Sequence, residues 1–162
     1  SFGYNAYSIL KTGKDEYGNP FPLAFRAFGE YKNPTPVYFL VPFVAIFGPT
    51  PLALRLPFAL VSLLNIFLLA LLLHKFLSRP FLILTAAFLF VISPWAFFYS
   101  RFVYEGNLAL FFLLLGLVFF FSKTSLVNLS LSSFFLALSV YSHHNTKIVI
   151  PLLFAFFLLF YI

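Results

Sequence analysis

Residues 52–73, with the sequence LALRLPFALVSLLNIFLLALLL, form an almost unbroken apolar run. A helix needs about 20 such residues to cross roughly 30 Å of hydrocarbon. Arg55 is the only charged side chain inside the run, and His74 and Lys75 follow its end. The stretch therefore predicts a transmembrane helix.

The whole chain shares this apolar character. Its 162 residues are 62% hydrophobic and only 9% charged, whereas a soluble domain carries about 25% charged residues. The absence of cysteine excludes disulfides and thiolate metal sites. No basic stripe or basic helix is present, so nucleic acid is not an expected partner. Lipid is the expected surrounding for most of this sequence, and membrane lipids are expected partners.

Four further apolar runs follow residues 52–73, and two shorter ones precede it. The sequence predicts an all-α polytopic membrane protein, with two interfacial juxtamembrane helices followed by about five transmembrane helices. Residues 1–50 form the first unit, a loop with its juxtamembrane helices, and residues 51–162 form the second, a transmembrane helical bundle that we expect to be incomplete. The predicted juxtamembrane helices are 2–11 and 37–47, and the later spans are 81–98, 108–121, 126–142 and 148–162.

Residues 11–36, with the sequence KTGKDEYGNPFPLAFRAFGEYKNPTP, hold three of the four acidic residues and four of the ten basic ones. Their glycines, asparagines and prolines predict turns and an extended loop, including the run from Pro22 to Gly29. Because charge is scarce elsewhere, we expect this stretch to lie on a membrane surface and to form part of a site.

Alternation of the spans gathers the polar connections at one side of the membrane, because each helical span has to cross completely. Arg55, Arg101, Glu105, His143, His144 and Lys147 then share a face with residues 1–50. This face carries seven Lys and Arg residues and the opposite face three, so the positive-inside rule would place it in the cytoplasm. Charges that belong to a site are poor markers of topology, and the side stays open at this point.

The carboxylates of this face are candidate catalytic groups. Asp15 and Glu16 form a pair in a turn, where they can act as a base, bind a metal or position an acceptor. The alternative is a solvated pair that caps its own turn. Glu105 is an acid at the membrane edge and therefore a functional candidate, although its spacing from Arg101 also suits a simple ion pair between the two.

The basic residues of the same face are candidate substrate-binding groups. Lys32 can hold a phosphate as a point charge, or extend to the membrane surface without a further role. Arg55 lies one turn into a span and should face a partner or a polar cavity. His143 and His144 point in different directions on a helix and lack further ligands, so a phosphate contact shared with Lys147 is favoured over a metal site.

Four segments resemble, in order, the membrane-embedded C-type glycosyltransferases of the protein O-mannosyltransferase and aminoarabinose-transferase group. They are YNAYSILKTGKDEYGNPFPLAFRAFGEYKNPTPVYFLVPFVAIFG (4–48), ALRLPFAL (53–60), ISPWAFFYSR (92–101) and YSHHNTK (141–147). The resemblance implies an inverting sugar transfer from a polyprenyl-phosphate donor to an acceptor glycan, lipid or protein. It places residues 1–50 on the extracytoplasmic face of a multi-pass protein of the plasma or inner membrane, and it implies no cofactor.

The resemblance also assigns roles to residues. It implies a catalytic Asp-Glu pair upstream of Ser1, with Asp15 and Glu16 as a second acidic element. Lys32, before Pro34, resembles the lysine near the donor phosphate. Arg55, with Leu56 and Pro57, resembles the entry to the next span, and Arg101 and Glu105 resemble a basic-acidic pair at the rim of the site. Because the chain begins without methionine and ends inside an apolar run, we expect an internal fragment from the N-terminal part of a longer protein. A transporter or flippase for a lipid-linked substrate is the main alternative, and a non-catalytic membrane assembly subunit is a third.

Overall fold

The computed structural model describes residues 1–27 and 29–161, which form eight helices and one two-stranded antiparallel hairpin. The helical class predicted from the sequence is confirmed. The hairpin is a correction, because residues 22–29 were predicted as loop. The elements are α1 (Phe2–Thr12), β1 (Phe25–Ala27), β2 (Glu30–Lys32), α2 (Pro34–Phe47), α3 (Pro51–His74), α4 (Pro80–Ile92), α5 (Pro94–Ser100), α6 (Glu105–Phe120), α7 (Leu126–Ser142) and α8 (Thr146–Tyr161).

Proline marks the first residue of four helices, namely α2, α3, α4 and α5. A proline at this position loses nothing, because its missing N–H would have no partner in the first turn and its φ angle already suits a helix. At α3 the preceding Thr50 adds a cap, since its hydroxyl accepts a hydrogen bond of 3.3 Å from the Ala53 amide. These signals explain why the sequence located the helix starts closely.

Helix length gives one clear candidate for a membrane span. The α3 helix has 24 residues, with a mean hydropathy of 2.6 in its most apolar window. The predicted span 81–98 is instead two helices, α4 and α5, which meet at a bend of 60°. Pro94 explains the bend, because it cannot donate the hydrogen bond that would continue α4. The other apolar helices have 10–17 residues in the described part of the chain, so helix length does not support about five spans.

The buried core lies where α1, α2, α3 and α6 meet. Apolar side chains from these helices and from β1 form one contiguous cluster, which includes Ala6, Ile9, Phe25, Val37, Leu40, Val44, Ala53, Phe58, Val61, Leu108 and Phe112. The hairpin joins this core through Phe25, which is 1% exposed and packs its ring edge-on against Tyr38 at 5.6 Å. The polar loop is therefore fixed to the helices by an apolar anchor.

Side-chain contacts show how the helices run. Asn65 of α3 bonds Asn107 near the start of α6, and Lys75 after α3 bonds Ser122 after α6, so these two helices point the same way. The α7 helix returns beside them, since Ser139 near its end bonds the carbonyl of Ala109 near the start of α6. The start of α6 and the end of α7 consequently lie at one end of the bundle, here called the site end.

Most helix boundaries lie within a few residues of those predicted. The α7 helix matches its predicted range, and α1, α3, α6 and α8 differ from theirs by a few residues. The α2 helix starts three residues earlier than predicted and continues through Pro42. Ile162, the last residue of the predicted fifth span, and Phe28 of the predicted loop lie outside the described residues.

Candidate functional site

Glu105 is the first residue of α6 and lies at the site end. A carboxylate in the first turn of a helix is stabilised by the positive end of the helix dipole. The side chain is half-buried, and its Oε2 atom is buried without a hydrogen-bond partner in the described residues. Buried polar atoms are rarely left in this state, so the hydrogen-bonding capacity of this oxygen is unused among the described residues.

Burial raises the pKa of the Glu105 carboxyl above its usual range, because a charged carboxylate is poorly solvated there. Positive charge on His143, Lys32 and His144 opposes this rise, in that order of strength, and Glu30 adds to it. Glu105 of α6 is therefore close enough to side chains of β2, and of the connection between α7 and α8, for their charges to act on its carboxyl.

The connection between α7 and α8 is held in place by its own hydrogen bonds. The Thr146 hydroxyl bonds the carbonyl oxygens of Ser139 at 2.8 Å and His143 at 2.7 Å. His143 packs against Tyr104 with ring centroids 5.7 Å apart, and its Nδ1 atom is buried without a hydrogen-bond partner among the residues that the structure describes. His144 Nε2 lies 3.4 Å from the Tyr31 carbonyl of β2. Both histidines thus have fixed positions beside Glu105.

A groove of about 340 Å³, here called the basic groove, opens beside this cluster. Lys32, His144 and Lys147 line it, and the described lining residues include no carboxylate. Asn33 also lines it, and within residues 1–27 and 29–161 its buried Nδ2 atom has no hydrogen-bond partner. The groove is suited to an anion such as a phosphate, because it offers two lysines, a histidine and an amide donor.

A second groove, of about 430 Å³, continues from the basic groove and is here called the apolar groove. Both grooves share Leu23, Pro34 and Tyr141 as walls. The rest of the apolar groove comes from α2, α6 and α7, through Thr35, Tyr38, Phe39, Phe112 and Leu138. The combined surface is amphiphilic, with a basic end near Glu105 and an apolar end along the helices.

Asp15 and Glu16 lie outside this cluster. Asp15 is 4% exposed, and its oxygens accept hydrogen bonds from the Tyr17 amide (2.9 Å) and from the Asn19 amide (2.7 Å) and side chain (3.0 Å). Burial tends to raise its pKa, but these hydrogen bonds outweigh burial and leave the pKa below its usual value. Glu16 bonds the Asn5 side chain of α1 at 3.1 Å. Both carboxylates serve the turn and its attachment to α1, and their catalytic assignment remains a prediction.

The two arginines predicted to bind substrate, Arg55 and Arg101, are also placed differently from expectation. Arg55 was expected to face a partner or a polar cavity, yet it lies exposed on α3, with no polar or ring partner in the described residues. Arg101 does not pair with Glu105 in the described part of the chain, and its guanidinium lies over the Phe97 ring at 4.3 Å. The break between α5 and α6 explains this, because Arg101 follows the end of α5 and Glu105 begins α6, so the two residues do not belong to one continuous helix.

Two residues of the site were not singled out by the sequence. Tyr104 carries the ring contact to His143, and Asn33 contributes its amide to the basic groove. Each is adjacent in the sequence to a predicted site residue, Glu105 or Lys32, and this adjacency could have identified them. Among the residues that the structure describes, no group of three or more His, Cys, Asp or Glu side chains is arranged to hold a metal ion.

Comparison of the chain with protein-family models, curated proteins and solved structures gave no match.

Proposed function

We propose that this chain is part of an integral-membrane glycosyltransferase that moves a sugar from a polyprenyl-phosphate donor to an acceptor on the extracytoplasmic face. The observation that carries the proposal is the continuity of the basic groove with the apolar groove, near Glu105, whose Oε2 atom has no hydrogen-bond partner among the described residues. A phosphate with a long hydrocarbon tail fits such a surface, because its two halves require opposite surroundings.

The chemistry assigned to each group follows from its position. Lys32, His144 and Lys147 bind the donor phosphate and stabilise the negative charge that it gains as it departs. Glu105 accepts the proton of the acceptor hydroxyl or amine. As the new bond to the anomeric carbon forms, the bond from that carbon to the phosphate oxygen breaks. The products are the glycosylated acceptor and the polyprenyl phosphate, and attack from the opposite side inverts the anomeric configuration.

The proposal includes a multi-pass arrangement of about five spans in the plasma or inner membrane, with residues 1–50 extracytoplasmic. The directions of α3, α6 and α7 support it. Because α3 and α6 point the same way, the chain has to return between them, and α7 then runs back beside α6. Helices α6 and α7 have 16 and 17 residues and would extend about 25 Å, so the membrane around them would have to thin by a few ångströms.

A transporter or flippase for a lipid-linked substrate is a second candidate, and the bend between α4 and α5 favours it. Transporters often use discontinuous helices near the middle of the membrane to bind their substrate. However, the residues at the bend, Ser93 and Pro94, carry no charge. Glu105 and the cations around it lie at the site end instead, which suits an enzyme acting at the membrane surface.

The test is transfer of a labelled sugar from polyprenyl-phosphate donors by the full-length protein in membranes. Lys32→Ala should slow transfer about 10- to 100-fold, since a hydrogen bond to a charged group contributes about 1.5–3 kcal/mol. Lys14→Ala is the matched control, because Lys14 lies exposed in the same loop and outside both grooves. Absence of transfer with every donor from a folded protein would overturn the proposal in favour of the transporter.

A further inference from the structure

A separate cavity of about 310 Å³ lies between α3, α4, α5 and the start of α6. It shares no lining residue with the basic groove or the apolar groove. Its walls are mainly apolar and include Leu63 and Ile66 of α3, Phe90 of α4 and Phe97 of α5. The cavity therefore occupies a different flank of α6 from the proposed donor surface.

The cavity follows from two features of the sequence. Pro94 ends the hydrogen-bonded course of α4 and turns the chain by 60° into α5, which separates α4 from the bundle near the bend. Ala59 on α3 and Ala96 on α5 then present small side chains to the space. Polar groups in the wall are already used, since Ser100 bonds the Phe97 carbonyl and Asn107 bonds Phe58 and Ser62. The interior thus suits a hydrocarbon chain.

The charge at the mouth of the cavity is positive. Arg101 follows α5 directly, and its guanidinium lies over the ring of Phe97, which is itself a wall of the cavity. In the described part of the chain, no carboxylate forms an ion pair with Arg101, which is exposed. A cation with no ion-pair partner among the described residues, placed on the ring of a residue that lines an apolar cavity, complements a lipid with an anionic head group.

We propose that this cavity holds the hydrocarbon chain of an anionic lipid whose head group binds Arg101, and that this lipid is the acceptor of the transfer. The second part rests on the proposed function. Asn107, in the cavity wall, is two residues after Glu105 in the same helix. Donor and acceptor would thus lie on different flanks of α6, with their head groups near the same end and Glu105 between them.

Photo-crosslinking of the full-length protein in lipid vesicles tests the site directly. The probes are a phosphatidic acid with a diazirine in its acyl chain and the neutral diacylglycerol with the same chain. We expect saturable labelling of the walls around Phe90 and Phe97, about tenfold stronger for the phosphatidic acid, because a phosphate paired with arginine gains a charge-assisted hydrogen bond. Arg101→Gln should reduce this preference to near one, whereas Arg79→Gln, which changes an exposed arginine outside the cavity, should leave it unchanged.

Two variants that fill the cavity test the site independently, so the result does not depend on whether one particular mutant folds. Ala59→Trp and Ala96→Trp should each abolish the saturable labelling and reduce transfer, while labelling by a polyprenyl-phosphate probe stays intact. Equal, unsaturable labelling by both lipids would identify ordinary bilayer lipid and overturn the site. Full transfer activity in the filled variants would overturn the acceptor assignment. Head-group-dependent labelling of a protein that transfers no sugar would support the lipid site and contradict the proposed function.

Discussion

The Asn107 side chain of α6 is bonded to Asn65 of α3, and the bond lies inside an otherwise apolar bundle. The Oδ1 atom of Asn107 accepts a hydrogen bond of 2.8 Å from Asn65 Nδ2, and its own Nδ2 donates to the Phe58 carbonyl at 3.1 Å and the Ser62 hydroxyl at 2.8 Å. Asn65 has no exposed surface. The pair fixes the register of α6 against α3 and hence the position of Glu105.

Replacing Asn107 with leucine should destabilise the protein by about 1–3 kcal/mol, because it leaves the buried Nδ2 of Asn65 with fewer acceptors. The measurement is reversible unfolding in detergent. Thr85→Val is the control, since the Thr85 hydroxyl bonds only the Phe81 carbonyl of its own helix, and we expect a much smaller change. A similar loss in both variants would show that the bond between α3 and α6 has no special role.

Gly116 lies where α6 and α7 pack most closely. A Cβ atom at this residue would meet the Leu136 side chain at 2.8 Å and the Leu136 amide nitrogen at 3.3 Å. We expect Gly116→Ala to lower the free energy of unfolding by about 1–3 kcal/mol through overpacking, which exceeds the roughly 1 kcal/mol that alanine gains over glycine in a helix.

A compensating change provides the control for Gly116. Leu136→Ala alone creates a cavity and should also destabilise the protein. The double variant should then be more stable than the sum of the two losses predicts, because each change relieves the other. Simple additivity of the two losses would mean that Gly116 is not restricted by Leu136.

Much of the helical fold could be predicted from the sequence. The apolar runs located α3, α6, α7 and α8 closely, and a proline also marked the start of α3, because these signals act within one segment. The hairpin was missed, since its three-residue strands have no clear alternation and depend on Phe25 packing against Tyr38. The break at Pro94 was also missed, because many proline-containing segments, such as α2 with Pro42, stay helical.

The grouping of the candidate site residues at one end of the bundle was also predicted in part. Alternation of helices brought Glu105, His143, His144 and Lys147 to the end that also holds Lys32, as the structure has it. Whether a side chain faces a cavity or its own turn depends on contacts between distant segments and on local hydrogen bonds. Asp15 is bonded within its turn and Arg55 is exposed, and neither outcome follows from residue type.

Glu105 should impose an acid limb on the activity. Its pKa lies above the ordinary value of 4.5 because it is half-buried, so the basic form becomes available only at a higher pH. Transfer should therefore rise with pH through that raised pKa. Glu105→Gln should reduce transfer about 10²- to 10⁴-fold above that pKa and remove the acid limb. The measurement is a pH profile of kcat/KM.

The neighbours of Glu105 predict the direction in which this limb moves. Positive charge on His143, Lys32 and His144 lowers the pKa of Glu105, while Glu30 raises it. His143→Ala should therefore shift the acid limb to higher pH, and Glu30→Gln should shift it to lower pH. An acid limb that ignores both changes would show that another group accepts the proton.

Stability should show the opposite dependence on pH around Glu105. A carboxyl with a raised pKa in the folded protein holds its proton more tightly than in the unfolded chain, so the free energy of unfolding falls as pH rises from the unfolded pKa through the folded one. Glu105→Gln should remove this fall and be more stable than the native protein above that window. Lower stability of this variant at high pH would mean that the carboxylate forms a stabilising contact.

Asp15 provides the last prediction, because its carboxylate accepts three hydrogen bonds within residues 15–19. Its lowered pKa means that its contribution to stability is present above the unfolded pKa and is lost as pH falls through the folded one. Asp15→Ala should speed hydrogen exchange at the Tyr17 and Asn19 amides about tenfold or more. Glu16→Gln, which keeps the acceptor oxygen for Asn5, should leave that exchange unchanged. Asp15→Asn should retain most of the transfer activity that Glu105→Gln loses, and an equal loss in both would instead restore Asp15 as a catalytic residue.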